Sequence, residues 1–451
     1  MAGRLHRAAD SIAALATPPG RGGIGIIRVS GKDLSAFAAR LCGVQPAPRQ
    51  ARLATFRDAG GRAIDQGILL YFAAPHSYTG EDVLELQGHG GPAVMRALLA
   101  RCVELGARLA EPGEFSKRAY LNDKLDLAQA EAVADLIDAG SSQAARAALR
   151  SLSGEFSDAV GALDRQLIEL RTVVEATLDF PDDEIDPLQD TDLLDRFARL
   201  RSGLDGLLVR SRQGKVLRDG LQVVLAGVPN VGKSSLLNRL AGEDRAIVTH
   251  VAGTTRDVLR EAIEIDGVPL HVADTAGLRE AGDAVERIGV ERAWREIERA
   301  DVVLLLVDAR QGITAQDKAI AARLPQAAAS LVVMNKADLA GRPAERLVED
   351  GAVRIVLSAA SGEGIELLRR ELLRLAGWEG HGEDAILARE RHIACLQETS
   401  RHIATAAADV QRLELCAEEL RLAHESLGQI RGRFGSEELL GEIFARFCVG
   451  K

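Results

Sequence analysis

The stretch GVPNVGKS, Gly227 to Ser234, spaces two glycines, a lysine and a serine as a phosphate-wrapping loop requires, Gly-x4-Gly-Lys-Ser, between a strand-like and a helix-like run. Gly227 and Gly232 let the backbone turn its N–H groups onto phosphate oxygens. Lys233 brings a charge to the outer phosphates, and the Ser234 hydroxyl suits magnesium. Taken alone, this loop also admits ATP. Three later stretches narrow the base. In DTAG (274–277), Asp274 is placed to hold magnesium through its water shell and Gly277 to direct an N–H at the terminal phosphate. In NKAD (335–338), the Asp338 carboxylate can accept from both N1–H and the 2-amino group of guanine, donors that adenine lacks. SAA (358–360) completes a base pocket, and GTTRD (253–257) reads as a threonine-rich switch loop. The pattern predicts hydrolysis of GTP. Many GTP hydrolases follow Asp-Thr-Ala-Gly with a water-orienting glutamine, whereas Leu278 stands here without a polar atom. The polar residues within loop reach are Arg279, Glu280, Asp283, Glu286 and Arg287, and spacing does not choose among them.

These motifs need a scaffold that brings loop ends together. From 217 to about 377 the near-continuous apolar runs LQVVLAG, PLHVADT, DVVLLLVD, SLVVMNK and VRIVLSA alternate with helix-like stretches, the signature of a parallel, doubly wound sheet with each motif at a strand end. Residues 1–120 read as mixed α/β, with strands at IGIIRVS, QGILLYF and DVLELQG. Helical spacing follows in Leu125, Ala128, Ala132, Val133, Leu136 and Ile137, then in Val160, Leu163, Leu167, Leu170, Val174 and Leu178. It returns after 390 in Leu396, Ile403 and Val410 and in Leu413, Leu420 and Leu427. Helix on both sides predicts that the α/β unit is inserted into one helical domain; separate bundles are the alternative. The acidic run DFPDDEIDP (179–187) breaks the second helix and reads as a solvated loop rather than a metal site, since no His or Cys joins it.

At 451 residues the chain has room for two to four domains on the usual ~100–200 residues per domain. No apolar run approaches the ~18 residues of a membrane span, and Asp10 interrupts the basic start before any signal-type core, which makes the cytoplasm the expected compartment. Five scattered cysteines without a CxxC pair argue against a disulfide frame or zinc site, and all but Cys448 read as small buried hydrophobes. A net charge of −10 gives no global attraction to nucleic acid, so RNA contacts must be local or brought by a partner.

The motifs GVPNVGKSSLLN, GTTRDV, DTAGLRE, NKAD and terminal FCVGK, with TPPGRGGIGIIRVSG, GEDVLELQGHGG and PGEFSKRAYLNDKLDLAQAEAVADLIDA, resemble the MnmE (TrmE) family of tRNA modification GTPases along essentially the whole chain. The resemblance implies a multidomain α/β and all-α fold. Its parts are an α+β folate-binding, dimerising domain over 1–122, a helical domain over 123–216 and 378–451, and a Ras-like P-loop GTPase domain inserted at 217–377. It implies Glu286 as the residue that orients the water, acting with Lys233. Potassium would stand where other GTPases use an arginine finger, held by Asn230, Thr249, Val251 and Thr254, with Thr255 and Ser234 on magnesium. GTP contacts extend over Asn230, Val231, Gly232, Lys233, Ser234 and Ser235; over Thr249, His250, Val251, Ala252, Gly253, Thr254 and Thr255; over Asp274, Thr275, Ala276 and Gly277; and over Asn335, Lys336, Ala337, Asp338, Ser358, Ala359 and Ala360. A tetrahydrofolate carrying a one-carbon unit would meet Arg28, Glu85, Lys124 and Lys451, with Cys448 acting near that unit.

GRGGIG (20–25) fits the dinucleotide fingerprint, but a strand rather than a helix follows it, so that reading fails; farther along, His89 and the glycines around it, Gly88, Gly90 and Gly91, read as turn chemistry. The CVGK end fails as a lipidation box because Gly450 and Lys451 do not fit. The implied activity is a homodimeric, potassium-activated GTPase working on tRNA. With a flavin-carrying MnmG (GidA)-type partner it would place an aminomethyl or carboxymethylaminomethyl group on carbon 5 of the wobble uridine. The partner must bring the flavin, since no flavin fingerprint is present. A ribosome-assembly GTPase is the rival, disfavoured by the lack of a basic C-terminal module; a folate-handling enzyme with a regulatory GTPase domain is a third reading.

Overall fold

The computed structural model describes residues 10–179, 191–243, 260–274, 297–298, 300–325, 328–349, 351–380, 384–432, 437–445, 447–448 and 450. The chain divides into two compact units, one of Met1–Ala134, Ser151–Leu200 and Glu398–Lys451, the other of Asp135–Arg150 and Arg201–Gln397.

In the first unit, β1 (Ile12–Leu15), β2 (Gly25–Gly31), β3 (Arg52–Arg57), β4 (Ala63–Phe72), β5 (Asp82–Gly88) and β6 (Arg108–Leu109) form a sheet in the order β3-β4-β5-β2-β1-β6. All neighbours run antiparallel except β1 and β6. Successive side chains of a strand point to opposite faces. Ile27 and Val29 of β2 and Leu84 and Leu86 of β5 therefore join Phe37, Leu41, Leu98 and Cys102 of the helices Leu34–Cys42 and Pro92–Glu104 in one core. Arg28 and Glu85, one residue out of phase, are left on the other face and stand directly opposite each other in the register. The helix Glu155–Asp179 buries Val160, Leu163, Leu167, Leu170 and Val174 and packs against the helix Leu413–Ile430, which buries Leu420, Ala423 and Leu427. That stripe follows the expected spacing, although Leu178 is only half-buried. The acidic run beyond Asp179 lies outside the described residues, apart from that aspartate.

In the second unit, β7 (Leu221–Ala226), β8 (Arg260–Ile265), β9 (Val268–Asp274), β10 (Val302–Asp308), β11 (Ala329–Asn335), β12 (Glu345–Glu349) and β13 (Ala352–Val356) are ordered β12-β13-β11-β10-β7-β9-β8. The five strands read in the sequence, now the central ones, are parallel as expected, and two further strands, β8 and β12, add antiparallel edges. The cause is local: a two-residue link returns the chain only antiparallel, and Asp266 and Gly267 between β8 and β9 take φ 48° and 83°, the signs of a tight hairpin turn. Strand β10 is buried on both faces, with Val302, Leu304 and Leu306 in one core and Val303, Leu305 and Val307 in another, which is why it reads as an unbroken apolar run. Leu236, Leu237 and Leu240 of the helix Lys233–Glu243 and Leu368 and Leu372 of the helix Ile365–Leu375 cover the first of these cores. Ile137 departs from the helical stripe read in the sequence: near the end of the helix Leu127–Asp138 it is 53% exposed.

Candidate GTP and folate sites

Strand β7 stands between β9 and β8 on one side and β10, β11 and β13 on the other, and the chain fills the first side before crossing to the second, so the loop after β7 lies at the switch point where ligands meet parallel sheets. Gly227 (φ 144°) and Gly232 (φ 102°) adopt backbone angles that a side chain disfavours. Space excludes one as well: a Cβ on Gly227 would stand 2.5 Å from the Leu306 carbonyl, and one on Gly232 2.2 Å from Asn335 Nδ2. Lys233 begins the following helix and is nearly buried; its Nζ donates to the carbonyls of Gly227 (2.8 Å) and Val228 (3.2 Å), which holds the charge inside the loop. Ser234 and Ser235 are exposed in the first helical turn, and Asn230 is exposed at φ 62°. Asp274 ends β9 beside Leu225 of β7.

Asn335, ending β11 and only 3% exposed, ties the motifs together. Its Nδ2 donates to the Val231 carbonyl (2.9 Å) and its Oδ1 accepts from the Ala359 N–H (2.9 Å), so one amide joins the phosphate loop to the base loop. Lys336 (φ 66°) donates from Nζ to the Asn230 carbonyl at 2.7 Å and to Asp308 Oδ2 at 3.0 Å. Ala337 starts a short helix, held by its N–H to the Leu357 carbonyl, and Asp338 in that helix is exposed. Ser358 is buried, and its Oγ accepts from the Ser361 N–H. The structure thus brings together the described members of the phosphate and base motifs. Thr249, His250, Val251, Ala252, Gly253, Thr254, Thr255, Thr275, Ala276, Gly277, Leu278, Glu286 and Lys451 lie outside the described residues.

Sequence reasoning missed Asp308. It ends β10 at the same sheet edge, and its carboxylate bonds Arg310 (2.7 Å) and Lys336 (3.0 Å). The Arg310 guanidinium, with Lys336 behind it, holds that carboxyl far below the usual range despite partial burial. The signal was present in DVVLLLVD, a buried strand whose last residue is charged.

On the opposite face of the first sheet, Arg28 donates from Nε (3.1 Å) and Nη2 (2.9 Å) to Glu85 Oε1, with its guanidinium 5.7 Å from the Tyr78 ring and 5.9 Å from the Phe115 ring. Beside them Ser30, Thr79, Glu81 and Arg118 form a bonded chain, closed by Glu114, which accepts from Arg118 (3.1 Å) and Arg108 (2.8 Å). Burial would raise the Glu114 carboxyl, but the bonds from Arg108, the Glu111 N–H and Arg118 bring it down to about 2. Lys124 is exposed, and its side-chain carbons approach Gly80 closely enough that a Cβ there would meet Cγ at 3.3 Å. It lines a cavity of about 500 Å³ with Tyr120, Asp126, Gln129 and Arg431; Arg28 and Glu85 do not line that cavity. Cys448 is exposed, and its carbonyl accepts from the Gly113 N–H (3.3 Å). Gly450 lies so close to β1 that a Cβ would stand 2.5 Å from the Leu15 carbonyl. Cys42, Cys102 and Cys416 are buried as expected, and burial pushes the Cys102 thiol up to about 12, whereas Cys395 is only half-buried. The His89 Nδ1 bonds Asp65 at 2.8 Å.

A family model described as MnmE helical domain matches residues 127–448, and one described as GTP-binding protein TrmE N-terminus matches 11–124. The tRNA modification GTPase MnmE of Azoarcus sp. (strain BH72) is 63% identical over 452 residues, covering 100% of both chains. The chain belongs to the MnmE family of tRNA modification GTPases. MnmE of Dechloromonas aromatica (strain RCB) is 60% identical, covering 98% of this chain and 99% of its own. Among solved structures, an Era variant from Aquifex aeolicus bound to GDP and AlF4− is 26% identical, with a TM-score of 0.29, over 40% of this chain and 66% of that one; the family assignment does not rest on it. As a member of the MnmE family the chain is a GTP hydrolase of tRNA modification, and its fold combines a TrmE-type N-terminal domain, a helical domain and a GTPase domain. No helix among the described residues is long and apolar enough to cross a membrane.

Proposed function

We propose that this chain is a cytoplasmic, homodimeric, potassium-activated GTPase that adds an aminomethyl or carboxymethylaminomethyl group to carbon 5 of the wobble uridine of certain tRNAs. It would work with a flavin-carrying MnmG (GidA)-type protein and a tetrahydrofolate one-carbon donor. The domain limits 1–122, 123–216, 217–377 and 378–451 belong to the same reading. The observation that carries it is the tail: Cys448 is held by its carbonyl at Gly113, and Gly450 packs on β1, in the same compact unit as the Arg28–Glu85 pair. A thiol is thereby anchored on the domain proposed to bind folate.

The residues suit the groups the reading requires. Both Arg28 bonds fall on Glu85 Oε1, so Oε2 remains an acceptor for pterin N–H donors, and the rings of Tyr78 and Phe115 lie against the Arg28 guanidinium. The folate supplies a one-carbon unit when bound; Arg28, Glu85 and Lys124 orient it, and Lys451 meets its carboxylates. For GTP, Lys233 and the loop N–H groups stabilise charge on the phosphates, the exposed Ser234 hydroxyl with Thr255 suits magnesium, and Asp338 reads the base. Asn230 is an exposed amide on a loop whose carbonyl Lys336 fixes, a donor suited to potassium together with Thr249, Val251 and Thr254. Glu286 orients the attacking water, the role for which Leu278 has no atom.

The test is nucleoside mass spectrometry of wobble uridines in cells lacking this protein, complemented with the wild-type chain, Glu286→Ala or Cys448→Ser. Rescue by the wild type alone is expected. Unchanged modification in the deletion would refute the tRNA role; rescue by a single variant would remove that residue from the proposal.

A further inference from the structure

We propose that Arg239 is a positioning residue for base recognition, which sets the peptide between Ala359 and Ala360 so that its N–H meets the carbonyl oxygen at carbon 6 of guanine. This inference rests on the reading of Ser358–Ala360 as the base loop. Arg239 lies in the helix Lys233–Glu243 that begins at the phosphate loop, yet its guanidinium reaches across the fold. Nε donates to the Ala359 carbonyl at 3.2 Å and Nη2 to the Ala360 carbonyl.

The loop above it is otherwise closed by its own bonds. Gly362 N–H reaches the Ser358 carbonyl (2.9 Å), Ser361 N–H the Ser358 Oγ (3.2 Å), Ser358 N–H the Glu363 carbonyl (2.9 Å), and Ala359 N–H the Asn335 Oδ1 (2.9 Å). The Ala360 N–H takes no part in these bonds among the described residues, and Ala360 is exposed. The Ala359 carbonyl and the Ala360 N–H belong to one peptide group. A cation bonded to that oxygen fixes the plane of the group and draws electron density from its nitrogen, which makes the N–H a stronger donor. A donor facing carbon 6 favours a purine with oxygen there and opposes one with an amino group. Asp338 reads the other edge of the base, N1–H and the 2-amino group. Discrimination at carbon 6 and at carbon 2 would thus come from different elements.

The test measures dissociation constants of the full-length protein for GDP and for 2,6-diaminopurine riboside diphosphate, which keeps the 2-amino group, replaces the 6-oxygen by an amino group and lacks the N1–H, a loss at Asp338 that is common to wild type and Arg239 variants and so cancels when their preferences are compared. For Arg239→Gln we expect GDP binding to weaken about tenfold, the loss of one charge-assisted contact, with no weakening for the diaminopurine nucleotide, so the preference between them falls about tenfold. Arg239→Lys, which keeps the cation but not the two-pronged geometry, should fall between. Equal weakening for both nucleotides would mean that Arg239 only supports the fold, and no change in either would mean that it does nothing for the base; both overturn the proposal. Asp338→Ala separates the two layers. Undiminished GDP binding in that variant refutes the base-pocket reading itself, whereas weakened binding there with an unchanged preference in Arg239→Gln refutes only the role of Arg239.

Discussion

Replacing Asn335 by alanine removes a single amide, yet that amide is the only group in the described structure shown to bond both the phosphate loop and the base loop. Val231 is 2% and Ala359 4% exposed, so water does not readily replace the lost partner at either backbone group. An orphaned buried polar group costs about 1–3 kcal/mol, and two of them, with some relaxation, cost about 2–4 kcal/mol. Part of that loss will appear as lower stability of the GTPase unit and part as weaker nucleotide binding, because bound nucleotide requires both loops in register. Two assays separate the parts: urea unfolding of the nucleotide-free protein, and titration with a fluorescent GDP analogue. We expect a lowered unfolding free energy and a dissociation constant raised at least tenfold, since each 1.4 kcal/mol is tenfold. Asn335→Asp sharpens the case. One carboxylate oxygen still accepts from Ala359 N–H, but the other now faces the Val231 carbonyl where Nδ2 had donated, so this near-isosteric change should also weaken GDP binding. An alanine variant with the wild-type unfolding midpoint and wild-type GDP affinity would refute the reasoning.

Gly232 and Glu114, one in each compact unit, carry two further predictions. Gly232→Ala places a Cβ 2.2 Å from Asn335 Nδ2 at a backbone angle of φ 102°, so it should weaken GDP binding more than tenfold, and unaltered affinity in the same titration would contradict the placement of the loop. Glu114, lowered from 4.5 to about 2 in the folded chain, contributes stability above pH 4.5 that is lost as pH falls from 4.5 towards 2. Because water partly screens the cluster, wild-type stability should fall about 1–2 kcal/mol more than that of Glu114→Gln between pH 5 and pH 3 in urea unfolding. Parallel losses in the two proteins would show that the Arg108–Glu114–Arg118 cluster does not set the acid limit.

Much of the candidate nucleotide site was legible because its demands are local. A loop that turns backbone N–H groups onto phosphate needs glycines at fixed offsets, a buried parallel strand reads as an unbroken apolar run, and a motif at the end of such a run lands at the sheet edge where ligands bind. The phosphate loop after β7, Asp274 at the end of β9 and Asn335 at the end of β11 follow from those rules. The short strands β1, β3 and β6 were not legible, since IAAL, RLATFR and RL carry too little alternation to stand out without their neighbours. The edge strands β8 and β12 were missed because REAIEI and ERLVE interleave charges with few apolar residues and do not form the unbroken apolar run of a buried strand.

By itself the sequence determined which motifs are present and on which kinds of element they sit, because periodicity and turn chemistry act over a few residues. Only the tertiary structure decided who meets whom. It set Arg28 against Glu85 by strand register, Asn335 between Val231 and Ala359, Asp308 beneath Lys336, Arg239 under the base loop, and Cys448 at Gly113. These partners are separated by tens to hundreds of residues. Their meeting depends on sheet order and on which faces bury one another, quantities that belong to the packed whole and not to any single stretch of the chain.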